Sequence, residues 1–262
     1  MCCFSGNAQV SATRIYARML GAGRQGLVYQ MRVAAQADLA MILPIPTPAG
    51  AAVDAVRFID LSGYRGFFAD LQRAFPEDTR SATLGAPAAA PAPLPVHDVG
   101  DFEASFVPSQ ADFTRLDRRF VIDAALWARL PTYRDWGFAV FQLKFGTRPS
   151  LVPQPMAFDF PSRFPRRLFF PTVHIHDGTV PAVAEFDHTL FAQVGESDPF
   201  STRMTLDTGS ERREVAFTES PGLADGHVTI AETRGLVAAK GHLHRLSVVG
   251  RFRNADILLG AA

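Results

Sequence analysis

Two histidines one residue apart stand in Pro171-Thr172-Val173-His174-Ile175-His176-Asp177-Gly178. The run reads as a β-strand that ends in an Asp-Gly turn. Residues two apart on a strand share a face, so His174 and His176 would present two imidazoles side by side. A third imidazole, His188, follows in Glu185-Phe186-Asp187-His188. Imidazoles suit zinc, copper, iron or nickel, and an added thiolate tilts the choice toward copper, zinc or iron. The candidate ligand set is therefore His174, His176 and His188 with Cys2 or Cys3, and with Asp177, Glu185 and Asp187 as nearby carboxylates. A transition metal held there with one open position would support oxidoreductase-like chemistry on a small-molecule substrate. The competing reading is a solvated strand face that carries two histidines by chance.

Cys2 offers a second chemistry. Bacterial processing usually removes Met before a small residue, which would leave a free α-amino group on Cys2. Amine and thiol on one residue can chelate a metal, or act as base and nucleophile. An N-terminal-cysteine hydrolase or amidotransferase is thus the alternative function, with Cys2 as the catalytic group. Class-II amidotransferases also begin Met-Cys, but Cys3 stands here where they carry Gly. A non-catalytic metal-binding protein is the third reading. The only two cysteines are adjacent, a spacing at which a disulfide is strained. They could equally begin a buried first strand.

Other motifs carry less. His242 and His244 form another same-face pair with no carboxylate or cysteine beside them in sequence, and read as a surface strand. His97-Asp98 reads as a cap or turn. Gly21-Ala22-Gly23 does not extend to a nucleotide-binding loop, and no G-x-S-x-G occurs.

These residues need elements to position them. Val10 to Met19 and Leu27 to Val33 predict a hairpin around Gly21–Gly26. Leu39 to Pro46 predicts an apolar strand whose two prolines suggest an edge or an exit. Val56 to Leu61 predicts a further strand. Tyr64, Phe67, Phe68, Leu71 and Phe75 recur at three and four, which predicts a helix capped by Ser62 and stopped by Pro76. Residues 77–95 are rich in Ala and Pro and read as an exposed connector. After it come an extended stretch over Val96 to Pro108, a helix begun by Ser109-Gln110-Ala111-Asp112, and a short helix over Ala124 to Leu130. Met204 to Asp207 and Arg213 to Phe217 predict a hairpin about Thr208-Gly209-Ser210. Val228 to Ile230 and His242 to Phe252 predict closing strands.

The second half echoes the first. Ala139 to Phe145 matches Leu27 to Val33 position by position, Met156 to Pro161 matches Met41 to Pro46, and Val173 to Asp177 matches Val56 to Asp60. The pattern suggests a duplicated β-unit, with the imidazoles present in one copy only.

Cys2-Cys3-Phe4, Thr13-Arg14-Ile15, Leu27-Val28-Tyr29-Gln30 and Met41-Ile42-Leu43-Pro44-Ile45-Pro46 resemble the start of the DUF2330 proteins, a bacterial family of unknown function. The resemblance covers about the first 60 residues. It implies an early strand, strand, aliphatic-Pro order and relatives that are exported, and it implies no activity.

Apolar residues make up 47% of 262, enough for a real core, and 22 phenylalanines should dominate its packing. Lys and Arg number 26 against 26 Asp and Glu, which gives no electrostatic footprint for nucleic acid or an anionic membrane. No apolar run reaches membrane-span length and the start lacks signal-peptide regions, so the chain reads as soluble and cytoplasmic. The fold class expected is mainly β with some helix (α+β): one domain, 1–262, a two-sheet sandwich with two or three helices. Its parts would be a first β-unit over 1–76, the connector 77–95 and a second β-unit over 96–262.

Overall fold

The computed structural model describes residues 2–76, 97–99, 102–116, 124–146, 148–176, 178–194 and 201–260. The expected connector 77–95, the turn residue Asp177 and the end of the expected helix after Leu116 lie outside them.

Two sheets form the body. One has the strand order β12 (His174–Ile175), β1 (Cys2–Phe4), β4 (Leu39–Ile45), β8 (Gly137–Leu143), β7 (Phe102–Val107) and β6 (His97–Val99). The other runs β16 (Thr218–Leu223), β17 (His242–Arg253), β13 (Val183–Gln193), β2 (Gln9–Gly21), β3 (Arg24–Ala34), β10 (Met156–Pro161) and β5 (Arg57–Ile59), with β9 (Ser150–Leu151) added beside β3. Two small ribbons, β11 (Leu168–Phe170) with β18 (Ile257–Leu259) and β14 (Arg203–Asp207) with β15 (Arg212–Ala216), complete the described strands. The chain is thus a mainly-β, sandwich-like α+β domain.

Alternation along the strands builds two cores. Ile15, Ala17, Leu27 and Tyr29 face the six-stranded sheet, while Tyr16, Val28, Ala157 and Phe191 face helix α1 (Phe67–Arg73) through Phe67, Phe68 and Leu71. Each fully buried Phe or Leu side chain contributes roughly 1.5–3 kcal/mol by leaving water. Burial along its whole length explains why β4 reads as a continuous apolar run. Asp159 is buried on β10, where Arg24 and Arg57 hold its carboxylate.

The matched stretches exchange partners. Met41 pairs with Phe141 and Leu43 with Ala139 across β4 and β8. Met156 pairs with Tyr29 and Phe158 with Leu27 across β10 and β3. Under the sequence match these are the same pairs in the same register, with each Met-to-Pro strand lying on the other copy's preceding strand. The correspondence then breaks at one place. β5 pairs directly with β10, but β12 is kept from β4 by β1, which pairs with both. Strands from 1–76 and 96–262 therefore share both sheets.

Several local expectations need correction. Leu39–Ile45 is an interior strand; β1 covers only Met41 and Ile42, so Pro44 meets no ladder on that side. Ser62 begins a 3-10 turn over Ser62–Tyr64 without a side-chain cap, and α1 starts only after Gly66, since Gly63 and Gly66 weaken helix there. Ser109 bonds the Asp112 side chain instead of a backbone amide, and Gln110–Arg115 is 3-10 helix. His97 and Asp98 lie in edge strand β6 and not in a turn. Val228–Ile230 is not a strand; Ile230 begins a 3-10 turn to Thr233.

Candidate functional site: a buried imidazole stack

β12 is two residues long and is held from the side by the loop between β17 and β18. The Asn254 Oδ1 accepts the His174 amide at 2.7 Å, and its Nδ2 donates to the His174 carbonyl at 2.9 Å. Asp256 Oδ1 accepts the amides of Thr172 and Val173 at 2.8 and 3.1 Å, and its Oδ2 accepts the Tyr133 hydroxyl at 2.6 Å. The other flank is β1, where the Cα of Cys2 is opposite that of His174 and Cys3 is opposite Ile175. The backbone of the chain's first strand and the His-x-His stretch therefore meet.

The three imidazoles form one cluster, in which His174 stacks on His176 and lies tilted against His188. Ring centroids of His174 and His176 lie 5.0 Å apart at 28°, and those of His174 and His188 lie 4.9 Å apart at 40°. Phe186 packs on His174 at 4.5 Å and Phe4 on His176 at 5.7 Å. His188 sits mid-strand in β13 and is 2% exposed; neither of its ring nitrogens has a hydrogen-bond partner, nor does Nε2 of His174. Burial, then the neighbouring His176, pushes His174 down to about 3. Burial, then His174, pushes His188 well below the ordinary imidazole range. Both are neutral at pH 7. His176 lines an open cleft of about 900 Å³ with Asn7, Gln9, Gln36 and Arg148.

The predicted ligands are thus partly assembled. His174, His176 and His188 come together, with His174 and His176 stacked and His188 tilted at 40° to His174. A metal ion lies in the plane of each imidazole that holds it, so stacked rings do not converge on one point at about 2.0–2.1 Å. Among the described residues, no group of three or more His, Cys, Asp or Glu could hold a metal ion. Cys3 is wholly buried, and its register partner is Ile175, the residue between the two histidines; adjacent strand residues point to opposite faces. The Cys2 thiol lies outside the described side chains. The Asp187 Oδ2 accepts the amide of Ala12 at 2.6 Å, and the carboxylate lies within electrostatic reach of His176. Glu185 is exposed.

The second histidine pair does have a carboxylate beside it, contrary to expectation. Edge strand β16 brings Glu219 to 3.3 Å from His244 Nε2 and 4.0 Å from His242 Nδ1. Sequence reading missed β16 because Pro221 and Gly222 interrupt its pattern. It also missed Asn254, whose role depends on residues 80 positions away.

No family model matches the chain, and no curated protein matches it by sequence. Solved structures do. The crystal structure of baculovirus P35 aligns over 99% of each chain with a TM-score of 0.52 at 13% identity. A mutated baculovirus P35 after caspase cleavage gives 0.47 at 12% identity over 97% of this chain and 98% of the other. The caspase-8/P35 complex gives 0.42 at 12% identity over 96% of each. At these identities the likeness concerns the fold alone. No described helix is long and apolar enough to cross a membrane.

Proposed function

We propose that this chain acts through protein–protein contact with a cysteine protease of the caspase type and is itself cut in the encounter. The observation that carries the reading is the end-to-end fold likeness to baculovirus P35, 99% of each chain. A mutated baculovirus P35 is seen after caspase cleavage, and P35 is seen in complex with caspase-8. The sequence adds one supporting feature. The Ala/Pro-rich stretch 77–95 joins α1 to β6, and polar or small-residue connectors are the preferred sites of proteolytic nicking. The test mixes the purified chain with active caspase-8 and follows three readouts: peptide masses, co-elution on gel filtration and residual caspase activity. Cleavage within 77–95 with a retained complex supports the reading. A chain that stays intact, elutes separately and leaves the enzyme unaffected sinks it.

A second reading keeps the metal site. His188 carries two buried, unpartnered ring nitrogens, and such groups in native proteins call for an explanation such as an unrecorded ion. In this reading rotation of the rings, with the Cys2 thiol as a further ligand, binds copper, iron or zinc. The metal then serves either structure or oxidoreductase-like chemistry. Elemental analysis of untagged protein decides it: less than stoichiometric metal, unchanged by Cys2→Ser, removes the reading.

A further inference from the structure

Among the described residues, α1 packs over only part of its face of the eight-stranded sheet. Past the rows that hold Tyr16, Val28 and Phe191 under the helix, the same face continues through Arg14, Gln30, Arg32 and Thr189. A bulge sets this arrangement. Between Ser11, opposite Arg32, and Arg14, opposite Gln30, β2 has one residue more than β3. Ala12 absorbs the extra residue at a φ of 51°, and its amide is held by Asp187. As a result Arg14 and Gln30 share a face, and Arg32, two residues from Gln30, shares it too. Arg14 and Arg32 are then diagonal cross-strand neighbours, a relation about 7–8 Å across that long side chains span.

Both arginines are partly buried. Neither has a hydrogen bond or ion pair among the described residues. Burial, then the charge of Arg32, lowers the pKa of Arg14. The adjacent carboxylate, Asp187, is committed to the Ala12 amide. The Gln30 amide donates to the Pro153 carbonyl at 2.9 Å. The Thr189 hydroxyl, opposite Arg14 on β13, has no partner among the described residues. Two like charges held together with part of their hydration removed destabilise the free protein, unless an anion neutralises both.

We propose that Arg14 and Arg32, with the Thr189 hydroxyl, form a binding subsite for a phosphoryl-type oxyanion. A dianion matches the two charges, and its several acceptor oxygens suit two planar guanidinium forks and a hydroxyl. The source is either free phosphate or a small phosphate ester, and the two share this chemistry.

The test uses the full chain with inorganic phosphate and with phenyl phosphate, in chloride buffers matched for ionic strength. Thermal unfolding and calorimetric titration are read on wild type, Arg14→Gln and Arg32→Gln. A saturable rise in Tm is expected for wild type, and each variant should bind at least about tenfold more weakly. Without anion, each variant should unfold at or above the wild-type temperature, because removing one charge relieves the repulsion. Tighter binding of phenyl phosphate assigns an ester, and tighter binding of phosphate assigns the free ion. A Tm rise that chloride reproduces, or one that survives in both variants, overturns the proposal.

Discussion

Replacing His188 with leucine should stabilise the protein. The imidazole is 2% exposed and both nitrogens lack partners. A buried polar group without a hydrogen bond costs about 1–3 kcal/mol by mutational measure. Leucine is close in volume and removes that cost. It gives up ring contacts to His174 at 4.9 Å and Phe186 at 5.2 Å, each worth about 0.5–1.5 kcal/mol. Each of the two nitrogens bears that cost, so at mid-range about 4 kcal/mol is recovered against about 2 kcal/mol lost with the contacts; the net gain at pH 8 is about 2 kcal/mol, or roughly 4–8 °C in Tm for a chain of this size. The gain should widen on acidification. His174 and His188 both have folded pKa values below the unfolded 6.5. Below pH 6.5 the unfolded chain therefore binds more protons, and stability falls with pH at about 1.4 kcal/mol per unit for each such group. For His174 the loss runs from pH 6.5 to about 3. His188→Leu deletes one of the two contributions and should flatten the slope by about half. The assay is urea unfolding of chelator-treated protein from pH 8 to 5. A leucine variant less stable than wild type at pH 8, or one with an unchanged acid slope, refutes the reasoning.

Three further outcomes follow from the contacts. Asn254→Ala removes both side-chain bonds that hold His174; it should cost about 1–3 kcal/mol and speed exchange of the His174 amide, read by hydrogen exchange. Asp159→Asn leaves Arg24 and Arg57 facing a neutral group in a buried setting; denaturant unfolding should show a loss of about 3 kcal/mol, at the low end for buried pairs because Arg57 is largely exposed. Gly137→Ala sets a Cβ within 2.5 Å of the Phe106 ring and 2.7 Å of Thr47 Oγ1; repacking should cost about 1–3 kcal/mol, measured as a lowered Tm.

How much of this was legible depended on whether the signal was local. The β2–β3 hairpin, the β14–β15 hairpin and β17 were readable because turn chemistry and alternation lie within a few residues of each other. The echo between the two halves was readable because strands repeat a side-chain pattern; the exchange of partners was not, since pairing is a property of the assembled sheets. Pro44 misled because its cost depends on whether a neighbouring strand reaches it, and β1 stops short. His174, His176 and His188 were rightly grouped in space. Ring orientation, which governs coordination, is set by packing against Phe186 and Phe4 and leaves no trace in spacing. The meeting of β1 with β12 was posed from residue chemistry, and backbone register brings the two together. Arg14 and Arg32 gave no signal at all, because only the bulge at Ala12 turns them to one face.

The strand that breaks the internal correspondence also dictates an order of assembly. β1 pairs on one side with β4, about forty positions on, and on the other with β12, 172 positions on. During synthesis β1 can meet β4 early, but its second edge stays open until β12 has been made. Closing so long a loop is entropically costly, and contacts of this separation slow folding. A three-residue apolar strand waiting with one bare edge is meanwhile a template for unwanted pairing. The nascent protein thus carries an aggregation hazard at β1, and the hazard ends when Pro171–His176 emerges and docks.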